Sequence, residues 1–181
     1  MTEEIIIAGF GGQGVLSMGK ILAYAALIDG KEVTWMPSYG PEQRGGTANV
    51  TVIVSDDNIS SPILDFYDTG VILNQQSLDK FEDRIKPGGV LIYDPYGIKR
   101  RPTRNDIRII EVPAMEALFE IGNSKAYNML LLGALIAVRP VVTIQDVMKG
   151  LKKTLPERHH HLLEANEKAI RKGYELVNKE Q

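Results

Sequence analysis

The sequence predicts a single α/β domain over residues 1–181, with a mainly parallel twisted sheet, helices on both of its faces, a Rossmann-like start and a helical C-terminal part. Strand-like and helix-like segments alternate through most of the first 125 residues, which is typical of parallel strands joined by helices. The rest of the chain shows helical patterns alone. With 181 residues, 44% of them hydrophobic, the chain is long enough to bury one good core.

Local patterns predict the individual elements. Residues 5–8 are wholly apolar, as expected of a buried parallel strand. Residues 13–29 predict a helix whose apolar positions nearly encircle it and which ends before Gly30, so it must be covered on more than one side. Further strands are predicted at 32–36, 47–54, 71–73, 90–93 and 107–112, and further helices at 77–86, 114–121, 127–138, 144–153 and from 156 onward.

Composition excludes several classes of protein. A net charge of -2 gives no reason to expect a nucleic-acid partner. The chain has no cysteine, which excludes disulfides, thiolate zinc sites and cysteine-ligated iron–sulfur clusters. Its acidic start does not resemble a signal peptide, and its longest apolar run, 129–138, is far shorter than the ~20 residues that cross a bilayer. We therefore expect a cytoplasmic protein that contacts no membrane.

The first candidate site is the glycine-rich loop Gly9-Phe10-Gly11-Gly12-Gln13-Gly14, between the first predicted strand and helix. Its G-x-G-x-x-G spacing is that of dinucleotide-binding loops, where glycines allow a tight turn and the close approach of a pyrophosphate. The acidic residue that would hold a ribose is missing, because Trp35, Met36 and Pro37 end the second strand and Glu32 only begins it. The spacing leaves three alternatives: NAD binding, a compact turn, and a contact with another polypeptide.

The second candidate site is the segment 37–46, which follows the second predicted strand. Its glycines and prolines fix an unusual backbone path. Arg44 offers a planar fork suited to a carboxylate or phosphate, although a surface salt bridge with Glu42 or Asp29 is the alternative. Because both loops follow strands, we expect them side by side at the carboxyl edge of the sheet, leaving neighbouring strands. The candidate contact residues of this loop are Ser38, Tyr39, Gly40, Arg44, Gly45 and Gly46.

Both loops resemble the signature loops of the gamma subunit of 2-oxoacid:ferredoxin oxidoreductases. The segments that carry the resemblance are 9–14 and Tyr39-Gly40-Pro41-Glu42-Gln43-Arg44-Gly45-Gly46. The family also tends to have Ser-Asp after the third strand, and a last helix with Asn-x-x-Ala and a following glycine. The matching residues are Ser55-Asp56, Asn166, Ala169 and Gly173. The resemblance spans almost the whole chain and is greatest to the 2-oxoglutarate class, while the pyruvate and branched-chain 2-oxoacid versions share the same loops.

The resemblance implies an accessory subunit that has no catalytic residue and is inactive alone. Such enzymes oxidatively decarboxylate a 2-oxoacid to an acyl-CoA and reduce ferredoxin. It implies that thiamine pyrophosphate, Mg²⁺ and the iron–sulfur clusters are held by alpha, beta and ferredoxin-like delta subunits, and that this chain binds no cofactor or metal alone. The loops would face these partners and the entry of coenzyme A, with Arg44 and the amides of Gly11 to Gly14 suited to its phosphates. An isolated chain with an open apolar partner surface can form a homodimer.

Two rival functions remain open beside the resemblance. The first is a free-standing, Rossmann-like nucleotide-binding oxidoreductase, which would bind NAD as the lone chain. The second is an interaction subunit that binds no ligand. Trp35 and Tyr39 bear on the second, because exposed aromatic residues are favoured at interfaces. Core packing is the competing interpretation for Trp35.

Three further features have structural interpretations. We expect His159-His160-His161 on a solvated first helical turn, because consecutive helix positions point ~100° apart and cannot easily share one metal ion. Asn166 lies on an apolar helix face and should bind a neighbouring backbone group, and Gly173 on the same face should let another element come close. Asp94, just after a strand, is predicted to cap a turn.

Overall fold

The computed structural model describes residues 1–39 and 46–179. Within these ranges the chain forms one six-stranded sheet and six α-helices, which confirms the predicted α/β class. The strands are β1 (Thr2–Phe10), β2 (Glu32–Tyr39), β3 (Thr47–Ser55), β4 (Tyr67–Ile72), β5 (Ile85–Tyr93) and β6 (Arg108–Glu111). The helices are α1 (Val15–Ile28), α2 (Gln75–Phe81), α3 (Ala114–Ile121), α4 (Tyr127–Val138), α5 (Ile144–Thr154) and α6 (Leu163–Asn178).

The strand order is β2-β3-β1-β4-β5-β6. β3 runs antiparallel to both of its neighbours, and the other five strands point the same way, so the sheet is mainly parallel as predicted. The expectation that the two glycine loops leave neighbouring strands is wrong, because β3 lies between β1 and β2. The connection from β2 to β3 is too short for a crossover, so β3 must return antiparallel beside β2.

The two faces of the sheet are covered unequally. Ile5 and Ile7 of β1 point into the larger core, which α1, α3, α4, α5 and α6 cover. Ile6 and Ala8 point to the second face, where the smaller core takes its helical residues, Leu78 and Phe81, from the seven-residue α2. Helices on both faces are therefore confirmed. Between β3 and β4, the segment 56–66 has no helix or strand.

Two predicted helix boundaries differ clearly from the structure. Residues 82–84 form a 3₁₀ turn after α2, and Ile85 pairs with Tyr67 in the sheet instead of ending a helix. The final helix begins at Leu163 and not at 156, because residues 157–162 form a separate 3₁₀ segment. The predicted helices at 114–121 and 127–138 agree with α3 and α4. None of the helices in the described ranges has the length and apolar character required to cross a membrane.

Candidate functional site

The two glycine loops begin and end at the same edge of the sheet. Phe10, the last residue of β1, lies opposite Thr47, and Tyr39, the last residue of β2, lies opposite Ala48. The backbone N–H of Gly11 donates a hydrogen bond to the carbonyl oxygen of Gly46 at 3.0 Å. The predicted side-by-side placement is therefore confirmed for the described ends of both loops. We call this surface the glycine rim, defined by 9–14, Ser38, Tyr39 and Gly46.

Three predicted site residues, Gly40, Arg44 and Gly45, lie outside the described residues. Those of the first loop are all present: Gly9, Gly11, Gly12, Gln13 and Gly14. From the second loop, Ser38 and Tyr39 are exposed, Tyr39 to 69%. Trp35, three residues before Ser38 on the edge strand β2, is 38% exposed and does not belong to the main core.

The Gln13 side chain closes the first loop on itself. Its Oε1 accepts a hydrogen bond from the Phe10 backbone N–H at 2.6 Å, and its Nε2 donates to the Leu73 carbonyl at 3.4 Å. A Cβ added to Gly9 would lie 2.5 Å from this Oε1. The close approach that a first glycine offers a pyrophosphate in dinucleotide-binding loops is taken here by the chain's own glutamine. Together with the position of Glu32 at the far end of β2, this removes the support for NAD binding at this loop.

The last glycine of the loop sets the start of α1. Gly14 has φ +76°, a conformation that other residues rarely adopt, and an added Cβ would lie 2.5 Å from Nδ2 of Asn128. That same Nδ2 donates to the Gly14 carbonyl at 3.2 Å, which ties α4 to the loop. No described side chain caps α1, so its first-turn N–H groups have no side-chain acceptor at the positive end of the helix dipole.

A cavity of about 400 Å³ opens beside this helix start. We call it the rim cavity. Lys125, which is exposed, forms no ion pair within the described ranges. An ammonium group and an uncapped helix N-terminus in one cavity both favour an anion. The cavity is lined by Gly12, Gln13, Gly14, Met115, Ser124, Lys125, Tyr127 and Asn128.

Asp94 holds the far wall of the rim cavity in place. Its carboxylate, 1% exposed, accepts hydrogen bonds from the Tyr96 N–H at 3.0 Å, the Met115 N–H at 3.2 Å and the Tyr127 hydroxyl at 2.9 Å. The predicted cap is therefore confirmed, and it fixes the starts of α3 and α4 as well. Burial raises the pKa of Tyr127, and the Asp94 carboxylate raises it further, so this hydroxyl stays protonated and donates.

The other predicted features are structural. Asn166 donates to the Leu162 carbonyl at 3.0 Å, as expected. The histidine triplet lies in the 3₁₀ segment before α6 and not on the first turn of the helix. His160 Nε2 lies 3.1 and 3.0 Å from the carbonyls of Lys152 and Leu155, which end α5. Within the described part of the chain, no group of three or more His, Cys, Asp or Glu residues could hold a metal ion.

Sequence reasoning missed the second wall of the site. It contains Ser124 and Lys125 of the 3₁₀ turn before α4, and Tyr127 and Asn128, which begin α4, all more than 100 residues after the first loop. The only signal for them is a polar stretch just before a very apolar helix. A helix start of that kind indicates where the helix meets solvent, not which loop it meets.

The family of the chain follows from comparison with known proteins. The model of the family "Pyruvate ferredoxin/flavodoxin oxidoreductase" matches residues 4–176. The 2-oxoglutarate synthase subunit KorC of Methanocaldococcus jannaschii is 36% identical over 180 residues, which cover 98% of this chain and 95% of that one. The ketoisovalerate oxidoreductase subunit VorA of Methanothermobacter thermautotrophicus is 45% identical over 135 residues, which cover 75% of this chain. That match spans only 28% of VorA.

Two solved structures share the fold over nearly the whole chain. One is the gamma subunit of a keto/oxoacid ferredoxin oxidoreductase from Geobacter sulfurreducens, with a TM-score of 0.82, 32% identity, and 98% and 99% of the two chains covered. The other is a 2-oxoglutarate:ferredoxin oxidoreductase from Magnetococcus marinus with 2-oxoglutarate, coenzyme A and succinyl-CoA bound. It has a TM-score of 0.89 and 26% identity, and the match covers 98% of this chain and 31% of that one. The chain therefore belongs to the pyruvate ferredoxin/flavodoxin oxidoreductase family, as a chain of the gamma-subunit type.

Proposed function

We propose that this chain is the gamma subunit of a cytoplasmic 2-oxoacid:ferredoxin oxidoreductase and that its glycine rim forms part of the entry for coenzyme A. The complex would oxidatively decarboxylate a 2-oxoacid to an acyl-CoA and pass the electrons to ferredoxin. The observation that carries the proposal is the rim cavity. It combines an uncapped helix start with Lys125, in a family in which a Magnetococcus marinus relative has coenzyme A bound.

The chemistry of the reaction belongs to other subunits in this proposal. A chain without cysteine cannot supply thiolates to an iron–sulfur cluster. We assign the clusters, the thiamine pyrophosphate and its Mg²⁺ to the alpha, beta and delta partners, and we expect this chain to be inactive alone. We favour 2-oxoglutarate as the substrate because the KorC relative matches in both directions over nearly its full length.

The rim suits the anionic end of coenzyme A. The rim cavity is lined by the residues that precede the uncapped start of α1 and by Lys125, and helix N-termini and ammonium groups are both suited to binding phosphates. On the second loop, Ser38, Tyr39 and Gly46 border the same surface, and we propose that Gly40, Arg44 and Gly45 complete it. The alternative function, a free-standing NAD enzyme, is disfavoured because the Gln13 side chain occupies the space beside Gly9 that a pyrophosphate would need.

Steady-state kinetics of the reconstituted complex test this proposal. Lys125→Ala should raise KM for coenzyme A about tenfold, equivalent to about 1.4 kcal/mol, and leave kcat at saturating coenzyme A unchanged. Lys152→Ala, which removes an exposed lysine from α5 away from the rim, is the matched control. Arg44→Ala tests the second loop in the same assay. If KM stays unchanged in both rim variants, the rival of an interaction subunit that binds no ligand is correct.

A further inference from the structure

The second face of the sheet is left partly open over β2 and β3. α2 packs over the smaller core, and the irregular segment 56–66 passes the other side. Between them runs a groove of about 340 Å³. Its floor is formed by Met36 and Ser38 of β2 and by Asn49 and Thr51 of β3, which face each other in the strand register. We call this feature the sheet groove.

The walls of the sheet groove present apolar surface to solvent. Ile63 on one wall is 73% exposed, and Met36 on the floor is 37% exposed. The groove is also lined by Tyr67 and Phe81, which are buried and whose rings meet edge to face with centroids 6.1 Å apart. Phe66, next to Tyr67 in sequence, is 55% exposed. Exposed apolar side chains gathered on one face indicate a binding surface.

Two cations line the same groove without a counter-charge. Lys80 and Arg84 lie four residues apart, both are exposed, and neither has an ion pair or a side-chain hydrogen bond to another described residue. Their neighbour Asp79 is bound by Arg100 at 3.1 Å. The exposed carboxylate of Asp83 is not among the lining residues. The groove thus offers two positive charges to whatever occupies it.

The floor retains unused hydrogen-bonding groups. Within the described ranges, Asn49 and Thr51 make no side-chain hydrogen bond, although Thr51 is only 5% exposed. Thr34, which pairs with Ile53 two residues further from the rim than Met36, has a buried hydroxyl without a partner in the described structure. At the other end, Ser38 precedes the last residue of β2, so the groove leads up to the glycine rim. A row of unused polar groups beside apolar walls suits an extended polypeptide.

We propose that the sheet groove is the docking site for an extended segment of a partner subunit, with a carboxylate side chain against Lys80 and Arg84 and an apolar side chain between Met36 and Ile63. The proposal rests on the proposed function, because it needs the partner subunits of that complex. The two uncompensated cations favour an acidic segment, and the unused polar groups of the floor beside exposed apolar side chains favour an extended one. The exposed apolar walls would then be buried in the assembled enzyme.

Charge reversal in the co-expressed complex tests the proposal. The double variant Lys80→Glu/Arg84→Glu should bind the alpha and beta partners at least tenfold more weakly. Binding is measured by titration of tagged partners at 0.1 M salt, where the Debye length of ~10 Å leaves ion pairs in direct contact unscreened. The matched control is Lys20→Glu/Lys152→Glu, which makes the same change of charge on exposed positions of α1 and α5 and should bind normally. Ile63→Asp should also weaken assembly. The swap Lys80→Arg/Arg84→Lys keeps both charges and should retain it.

Each contrary result overturns the inference in a recognisable way. Normal assembly of the charge-reversal variant with an unchanged unfolding temperature shows that the groove is not an interface. Loss of a homodimer with normal binding of alpha and beta assigns the groove to a second copy of this chain. Normal assembly with a raised KM for coenzyme A assigns it to a small anion. None of these three results contradicts the proposed function as long as the wild-type complex turns over coenzyme A. A wild-type chain that binds no partner subunit would overturn both the proposed function and the docking proposal.

Discussion

Replacing Gly173 by alanine should destabilise the protein, although alanine is the better helix former. A Cβ at Gly173 would lie 1.8 Å from the Leu130 carbonyl oxygen of α4. The reciprocal position, Gly133 of α4, would place its Cβ 1.9 Å from the Ile170 carbonyl of α6. An ordinary contact begins near 3.4 Å, so α4 and α6 would have to separate by roughly 1.6 Å at their closest point.

The expected loss of stability is about 2 kcal/mol. Adding a methyl group to a packed interior costs about 1–3 kcal/mol, and this site belongs at the upper end because backbone, not a flexible side chain, obstructs the methyl group. The helix propensity of alanine returns about 1 kcal/mol. In a domain of this size a net loss of about 2 kcal/mol lowers the midpoint of thermal unfolding by about 4–8 °C.

Urea unfolding followed by circular dichroism measures this loss. Gly133→Ala should give a similar loss, because it obstructs the same crossing from the other helix. Gly150→Ala is the graded control, since its Cβ would meet Ala25 N at 3.0 Å and Ile21 O at 3.1 Å and needs a much smaller shift. A Gly173→Ala protein as stable as the wild type, or more stable, would refute the packing argument.

Three further substitutions test other parts of the structure. Gln13→Ala should lower the free energy of unfolding by about 1–2 kcal/mol, because the Phe10 N–H loses its acceptor, and amide exchange at Phe10 should accelerate. Glu82→Gln should cost about 1–3 kcal/mol at pH 7. Burial alone would raise the pKa of Glu82, but hydrogen bonds from residues 100–104 hold it below its ordinary 4.5. The ionised carboxylate therefore contributes to the free energy of unfolding above pH 4.5, and this contribution is lost as pH falls. The urea unfolding curves of the variant and the wild type should accordingly converge in acid. Thr143→Ala should cost about 1 kcal/mol by breaking the capping box of α5, and Thr143→Ser should restore it in the same urea assay.

Periodicity was enough to predict the fold class and most elements. α3 and α4 have the predicted bounds because each begins and ends where its own sequence changes character. The direction of β3 was not predictable in the same way. Its β-branched residues indicate a strand but carry no information on which way it runs, and only the short connection after β2 decides that.

The predicted ends of helices were wrong where tertiary contacts compete with the local hydrophobic pattern. Ile85 continues the apolar stripe of α2 in sequence, yet it is 1% exposed in the sheet opposite Tyr67. α6 begins later than predicted because His160 contacts the carbonyls of Lys152 and Leu155 at the end of α5. This contact holds the residues before α6 in a 3₁₀ segment. Both outcomes depend on partners distant from the pattern that predicted them.

The first loop marks the limit of reasoning from a glycine motif. Its glycines are required for the reasons that the G-x-G-x-x-G spacing suggests, a positive φ at Gly14 and a close approach at Gly9. The group that makes the approach, however, is the side chain of Gln13 and not a ligand. A glycine pattern therefore reports where a Cβ is not tolerated, and the residues between the glycines decide what fills the space. The Gln13 amide accepts a hydrogen bond from Phe10 and donates one to Leu73, and in doing so it fills the crevice between β1 and β4. A ligand can therefore bind only on the outer side of the loop, where α1 begins beside Lys125.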